Sequence, residues 1–455
     1  MIFNIPGCNC IGASTVATMV LRTSTRIPRT TRILITAGAP VLLRLIYRIV
    51  LVTAETARLD MFKRVTSCQS LWSCKHMNRY AAYYLKENTS LSKKRFDDLF
   101  KYIVSEINVY DAYRKTQLGQ MKYKRGAICF SQDITVNLAT LQEQVASGDY
   151  RPNEYHAFRV YEPKERLIYA SAFEDKIVQH MVNNILKDIY RPCFVYDNYS
   201  CIEGKGTHAC VERISKNLRA AKRNYGPGAY IVKVDISKFF YSMDREFLKG
   251  LLRKKIKCNQ TLALLDIIID SSPGDIGLPL GNLTSQLFAN IYLNELDQFC
   301  KRILGLEYYV RYADDIIIVV EDRDHARQIL EEIRVYADNC LNLSLNPKKS
   351  KVFPLAQGVN SIGFKIHPTH RLLRNDSKKR VKRKIKKMPH LINEGCMTIE
   401  KANQMLGSWT GHAMYGCSLN FIQKLLRMVD YLYMDKGRLK INENNINYGG
   451  NNAIL

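Results

Sequence analysis

Residues 308–320 constrain the fold more than any other stretch. Tyr308 to Tyr312 and Ile316 to Val320 are strand-forming runs, rich in aromatic and β-branched side chains, with only Ala313, Asp314 and Asp315 between them. So short a connection demands an antiparallel hairpin. Its tip carries two adjacent carboxylates, which repel each other and are costly to hold beside a core unless a cation neutralises them. Asp314 is therefore a candidate metal ligand. A further acid, Asp235, directly follows the strand-like run Tyr230 to Val234. If that strand lies beside the hairpin, Asp235 and Asp314 converge at one end of a sheet. Carboxylate oxygens suit Mg²⁺, and two such ions about 3.5–4 Å apart are the arrangement for in-line phosphoryl transfer. A tight turn that happens to hold two aspartates has the same four residues, so the stretch alone is a modest signal.

Charge points toward a polyanion. The 455 residues include 68 Lys and Arg against 42 Asp and Glu, a net charge of +26, and 27 tyrosines, which favours nucleic acid over a merely solvated basic surface. An apolar fraction of 46% excludes a wholly disordered chain. The thirteen cysteines include no CxxC pair, and neither Cys8 with Cys10 nor Cys68, Cys74 and His76 has zinc-site spacing. Reduced thiols in a cytoplasmic protein are expected. The most apolar stretch, Val41 to Ala54, is broken by Arg44 and Arg48 and is too short for a bilayer, so no membrane is expected. Gly204-Lys205-Gly206-Thr207 lacks the spacing of a P-loop.

Along the chain, residues 1–60 show no clean periodicity and are read as an uncertain extension, foreign to the fold, ahead of a start-capable Met61. Residues 61–125 read as helical and basic, Ile134 to Val145 as a helix stopped by Ser147-Gly148-Asp149, and Ala157 to Ala170 as a strand pair. Helices are also expected over Lys176 to Ile189, Leu262 to Ile269, Asn282 to Leu296 and Ala326 to Cys340. Strands mixed with amphipathic helices make an α+β fold. Arg371 to Lys387 holds ten Lys or Arg and one acid, Asp376; helix is expected onward to about residue 435, then a loose polar tail.

Three stretches, the hairpin tip among them, occur in order: Asp235-Ile236-Ser237-Lys238-Phe239-Phe240, Leu280-Gly281-Asn282-Leu283-Thr284-Ser285-Gln286, and Tyr312-Ala313-Asp314-Asp315. They resemble motifs A, B and C of the reverse transcriptases. Leu343 to Ser350 resembles motif D, and Ile362-Gly363-Phe364 the primer-grip hairpin. The resemblance covers about residues 105–430. It implies a right-hand polymerase: an N-terminal region and fingers over 61–225, an antiparallel-sheet palm over 226–370, a basic helical thumb over 371–440 and a flexible tail over 441–455. Where most of the class carries Gln-Gly and Ser-Pro in motif B, this chain has Leu280 and Gln286, which is similar to the diversity-generating retroelement enzymes. Glu162 to Ile168, Gly204 to His208 and Gly407 to Ala413 look like the same subfamily. It implies copying of a template RNA into cDNA, with errors at adenines, beside a small basic accessory protein. The rivals are a retron, group II intron-like or phage-defence reverse transcriptase and, in another class, an inactive nucleic-acid-binding protein.

The resemblance assigns roles residue by residue. Asp235, Asp314 and the Ile236 carbonyl hold two Mg²⁺ ions, for which Mn²⁺ can substitute, with Asp315 as ligand or supporting acid. Phe240 lies beneath the sugar of a dNTP and excludes a 2′-hydroxyl, unless it is a core aromatic beside Phe239. Lys164 and Arg166 grip the triphosphate, unless they are exposed hairpin charges. Lys349 protonates the leaving pyrophosphate, with Lys348 and Lys351 as rivals. Gly281 lets the backbone approach the template–nucleotide pair, while Leu280 and Gln286 line it. Leu280 loosens contact with that pair, a physical route to low fidelity.

Overall fold

The computed structural model describes residues 17–20, 32–35, 95–161 and 165–442, and the chain divides into two compact units, Met1–Lys93 and Lys94–Leu455. In the first, β1 (Ala17–Val20) and β2 (Arg32–Ile35) pair antiparallel, Ala17 opposite Ile35. Four-residue strands are too short for alternation to register, so the sequence there reads as featureless. The remainder of residues 1–60 and the helical reading of 61–94 lie outside the described residues.

The second unit opens with helices α1 (Phe100–Ile103), α2 (Glu106–Thr116), α3 (Arg125–Gln132) and α4 (Ile134–Ser147). Gly148, at φ 85°, caps α4 in the left-handed conformation its turn signal required. An exposed hairpin follows, β3 (His156–Val160) against β4 (Arg166–Ala170), then α5 (Phe173–Tyr190), packed on α2, and α6 (Thr207–Tyr225).

From there the chain builds β5 (Tyr230–Asp235), α7 (Phe239–Ser242), α8 (Arg245–Lys255), α9 (Asn259–Asp270), α10 (Leu283–Gln298), β6 (Tyr308–Tyr312), β7 (Asp315–Val320), α11 (Arg323–Leu341) and β8 (Lys351–Pro354). The four strands form one antiparallel sheet in the order β6-β7-β5-β8. Helix α6 packs on β6 and β7, and α11 on β5, β7 and β8. Covered by helices, Ile316 to Val320 are all buried, which is why β7 reads as an unbroken apolar run rather than an alternation. The Asp322 carboxylate starts α11 by accepting from the His325 amide at 2.8 Å, and Asn342 ends it in the left-handed region.

A three-stranded sheet, β9 (Val359–Ser361), β10 (Phe364–Ile366) and β11 (Arg371–Leu373), leads to helices α12 (Asn375–Asn393), α13 (Ile399–Met414) and α14 (Leu419–Met428). In α12, Val381, Ile385 and Met388 are buried at helical spacing while most of the basic side chains point outward. These residues share one core with Val211 and Leu218 of α6 and Val310 and Val319 of the central sheet. The helix expected to run to about 435 is corrected. After α14 the chain forms a hairpin, β12 (Leu432–Asp435) with β13 (Arg438–Ile441), packed on α13. Lys436 and Gly437 both have positive φ, 45° and 75°, the two-residue turn whose twist suits a hairpin. Ile441, read as the start of a loose tail, closes that sheet opposite Leu432. The tail from residue 443 lies outside the described residues. No helix among the described residues is long and apolar enough to cross a membrane.

Gly277 docks the approach to α10 against α7: its amide donates to the Met243 carbonyl at 2.8 Å and the Leu278 amide to the Phe240 carbonyl at 2.7 Å. A Cβ at Gly277 would lie 2.7 Å from Tyr241 Cα and 2.8 Å from the Phe240 carbonyl oxygen, at φ +83°. Gly277→Ala should therefore cost about 3 kcal/mol or more in urea unfolding, from clash and strain together. Gly274→Ala, at φ +75° with open space around it, should cost only about 1–2 kcal/mol. Equal losses would mean that backbone conformation alone matters at both.

Candidate active site

Strand pairing sets the acids in a row. Asp315 lies opposite Tyr312 in β6 and opposite Asp235 in β5, so the hairpin tip and the end of β5 share one end of the central sheet. Only Ala313 and Asp314 connect β6 to β7, and Ala313 takes φ 53°, a conformation that costs an alanine about 1–2 kcal/mol. Asp235 is 8% exposed. The Asn346 amide donates to its carbonyl at 2.8 Å, and the Ser350 hydroxyl accepts from its amide at 3.1 Å. Its carboxylate takes the Lys349 ammonium on both oxygens at 2.7 Å. Burial pushes the Asp314 carboxyl above the usual carboxylate range, the charges of Asp235 and Asp315 add to this, and Lys349 opposes it.

The third acid is differently placed. Asp315 is ion-paired with Lys233 of β5 at 3.1 Å and accepts from the Ser361 hydroxyl at 2.7 Å. Among the described residues no three His, Cys, Asp or Glu side chains converge as a metal cluster. The oxygen donors at this end of the sheet are the Asp235 and Asp314 carboxylates and nearby backbone carbonyls. The bridge between Ile236 and Leu345 runs its bonds through the Asp235 carbonyl and the Ser237 amide, not through the Ile236 carbonyl. Two carboxylates and a carbonyl are an all-oxygen donor set, which fits Mg²⁺ or Mn²⁺.

Under the tip lies a buried ionic network with no motif to announce it. Arg311 and Asp297 have fully buried side chains and meet in a two-pronged pair, Nε to Oδ1 at 2.7 Å and Nη2 to Oδ2 at 2.6 Å. The remaining guanidinium nitrogen donates to Asn290 Oδ1 at 3.2 Å and to the Ala313 carbonyl at 3.1 Å. The Tyr309 hydroxyl donates to Asp297, and Asn198 to Asn290. Burial opposes the Arg311 charge, and the Asp297 carboxylate outweighs it, so the guanidinium is held above its ordinary range. The signal in the sequence is an arginine inside the apolar run Tyr308 to Tyr312: a charge on a buried strand needs a partner.

The other expected residues spread around this end of the sheet. Phe240, in α7, is half-buried with its ring edge-on to Phe239 at 5.4 Å. Leu280 is half-buried, and Gly281, at φ +115°, packs so close to β4 that a Cβ would sit 3.4 Å from the Tyr169 carbonyl oxygen. Gln286 is exposed in the first turn of α10, and Arg166 is exposed at the head of β4. Lys164 lies outside the described residues. The basic run is divided: Arg371 sits in β11, its guanidinium 4.0 Å from the Tyr415 ring and 2.6 Å from Glu212, so the basic helix proper starts only at Asn375.

Residues 161–366, from the end of β3 to the end of β10, match the family model described as reverse transcriptase (RNA-dependent DNA polymerase). The chain is 26% identical over 289 residues to Protein YkfC of Escherichia coli, an alignment covering 54% of this chain and 73% of that protein. It is 23% identical over 346 residues to the group II intron-encoded protein LtrA of Lactococcus lactis, covering 60% of this chain and 57% of that one. It is also 26% identical over 261 residues to the retron Ec73 reverse transcriptase of Escherichia coli, covering 53% and 76%. The chain thus carries an RNA-directed DNA polymerase domain.

Arg311→Met should destabilise the protein by about 3–5 kcal/mol, because it strands the Asp297 carboxylate in the core. Arg311→Met with Asp297→Leu should recover most of that loss in urea unfolding, an apolar pair replacing an ionic one. Primer extension by the double variant should nonetheless stay well below wild type, because the Ala313 carbonyl has lost its donor. Full synthesis by the double variant would reduce the pair to a stability role.

Proposed function

We propose that this protein copies an RNA template into cDNA by adding dNTPs to a primer 3′-hydroxyl. The observation that carries the reading is the placement of Asp235 and Asp314 at one end of a four-stranded antiparallel sheet, inside the span matching the reverse transcriptase model. In this reading the central sheet is the palm, the β3–β4 hairpin belongs to the fingers, and α12 to α14 form the thumb. The outward basic residues of α12 follow the template–primer backbone, giving affinity and salt dependence without sequence choice.

Divalent ions held by Asp235, Asp314 and the Ile236 carbonyl would supply activation of the primer hydroxyl and charge neutralisation at the triphosphate. Asp315, tied to Lys233 and Ser361, fixes the hairpin tip as a supporting acid. Phe240 excludes the 2′-hydroxyl, Arg166 with Lys164 steadies the triphosphate, and Lys349 gives a proton to the departing pyrophosphate. Asp314→Asn should leave folding and RNA binding nearly intact while lowering DNA synthesis by more than about a hundredfold, since an amide is a poor ligand for a hard cation. Synthesis within tenfold of wild type would remove Asp314 from the metal site.

Two observations bear on the biological setting. Leu280 and Gln286 in motif B support a diversity-generating retroelement enzyme, mutagenic at adenines and working in the cytoplasm with a small basic accessory protein. The intron-encoded and retron relatives support a role of those kinds. Fidelity separates the two. Under the first reading, wild type misincorporates opposite template adenines, and Leu280→Gln lowers that error a few-fold through one added hydrogen bond, worth about 1 kcal/mol. Sequencing of cDNA made on one adenine-containing RNA measures both; accurate wild-type copying of adenines would favour the intron or retron setting.

A further inference from the structure

The two lysines that neutralise the acid row are held in opposite ways. Lys233 is 18% exposed, bonds Asp315, and is fastened a second time by the Asn360 carbonyl at 2.5 Å. Lys349 is 46% exposed and, among the described residues, gives its ammonium to Asp235, at 2.7 Å from each oxygen. Its backbone is held in a turn, the amide donating to the Asn346 carbonyl at 3.2 Å, while the partly exposed side chain reaches the carboxylate. Asp235, at 11% side-chain exposure, is the more buried member of the pair. Asn346 and Ser350 hold its backbone, and β7 and β8 flank its strand.

We propose that Lys349 is a resident counter-ion of the metal site, holding Asp235 while no divalent ion is bound and swinging out when one arrives. The ammonium lies on both carboxylate oxygens, so a divalent ion arriving at Asp235 would compete with it for the same negative charge. One lysine of the row is permanent and the other is exchangeable. The exchange links two events: loading of the site frees an ammonium at the place where a proton is needed later. The inference rests on the metal-site reading above.

Mn²⁺ binding to the full-length protein, without nucleotide or RNA, tests it through the free-ion EPR signal. Lys349→Gln removes the competitor and should tighten Mn²⁺ binding by about fivefold or more, although DNA synthesis falls. Lys349→Arg keeps the charge and should stay within about twofold of wild type. Thermal melting gives an independent readout. In chelator, Lys349→Gln should melt below wild type, because the carboxylates have lost their counter-charge, and added Mn²⁺ should raise its melting temperature by more than it raises that of wild type. Unchanged or weaker Mn²⁺ binding by Lys349→Gln, or equal tightening by Lys349→Arg, overturns the proposal while leaving the metal site standing. Undiminished Mn²⁺ binding by Asp235→Asn overturns both.

Discussion

The buried pair of Arg311 and Asp297 is the interaction on which the rest of the site depends. It joins α10 to β6 in the interior, where neither charge has water to fall back on, and its spare nitrogen holds the Ala313 carbonyl at the hairpin tip. An isolated ion pair there contributes little net stability, because desolvation offsets attraction. What it supplies is a position. A two-residue loop with an alanine at positive φ has few ways to sit, and the guanidinium selects one of them.

Around that anchor the charges form two tiers. The lower tier, Arg311 with Asp297, is sealed from solvent and balanced within itself. The upper tier sets Asp235, Asp314 and Asp315 against Lys233 and Lys349, half in contact with water. Because the lower tier is neutral, it fixes geometry without drawing on the cations that the upper tier needs. The upper tier, three carboxylates against two lysines, remains short of positive charge, which the divalent ions of the proposed function would supply.

Much of this was legible in the chain itself. The apolar runs flanking Ala313 to Asp315 announced a hairpin, Asp235 announced its neighbour, and the turn at Gly148 announced the end of α4. The β12–β13 hairpin was missed because basic and apolar residues from 371 onward share helical spacing, and the Asp435-Lys436-Gly437 turn was overridden by that expectation. Asp297 and Asn290 could not be read at all. Each is one of several polar residues on α10, and only three-dimensional pairing shows that both serve Arg311. Asp314 and Asp315, adjacent in sequence, are differently placed: one lies near two other carboxylates and the other is bound to a lysine and a serine.

The order of strands in the central sheet has a consequence for how the molecule comes into being. β5 lies between β7 and β8, although helices α7 to α10 and β6 separate it from the first, and those elements together with β7 and α11 from the second. Pairings so distant along the chain carry a large loop-closure entropy and form slowly. On a ribosome, β5 emerges with neither neighbour yet made, gains β7 only once Val320 has cleared the exit tunnel, and gains β8 only after Pro354. Until β7 pairs with it, Ile231, Val232 and Val234 lack the sheet that buries them, so synthesis of residues 236–320 leaves an apolar strand open to aggregation.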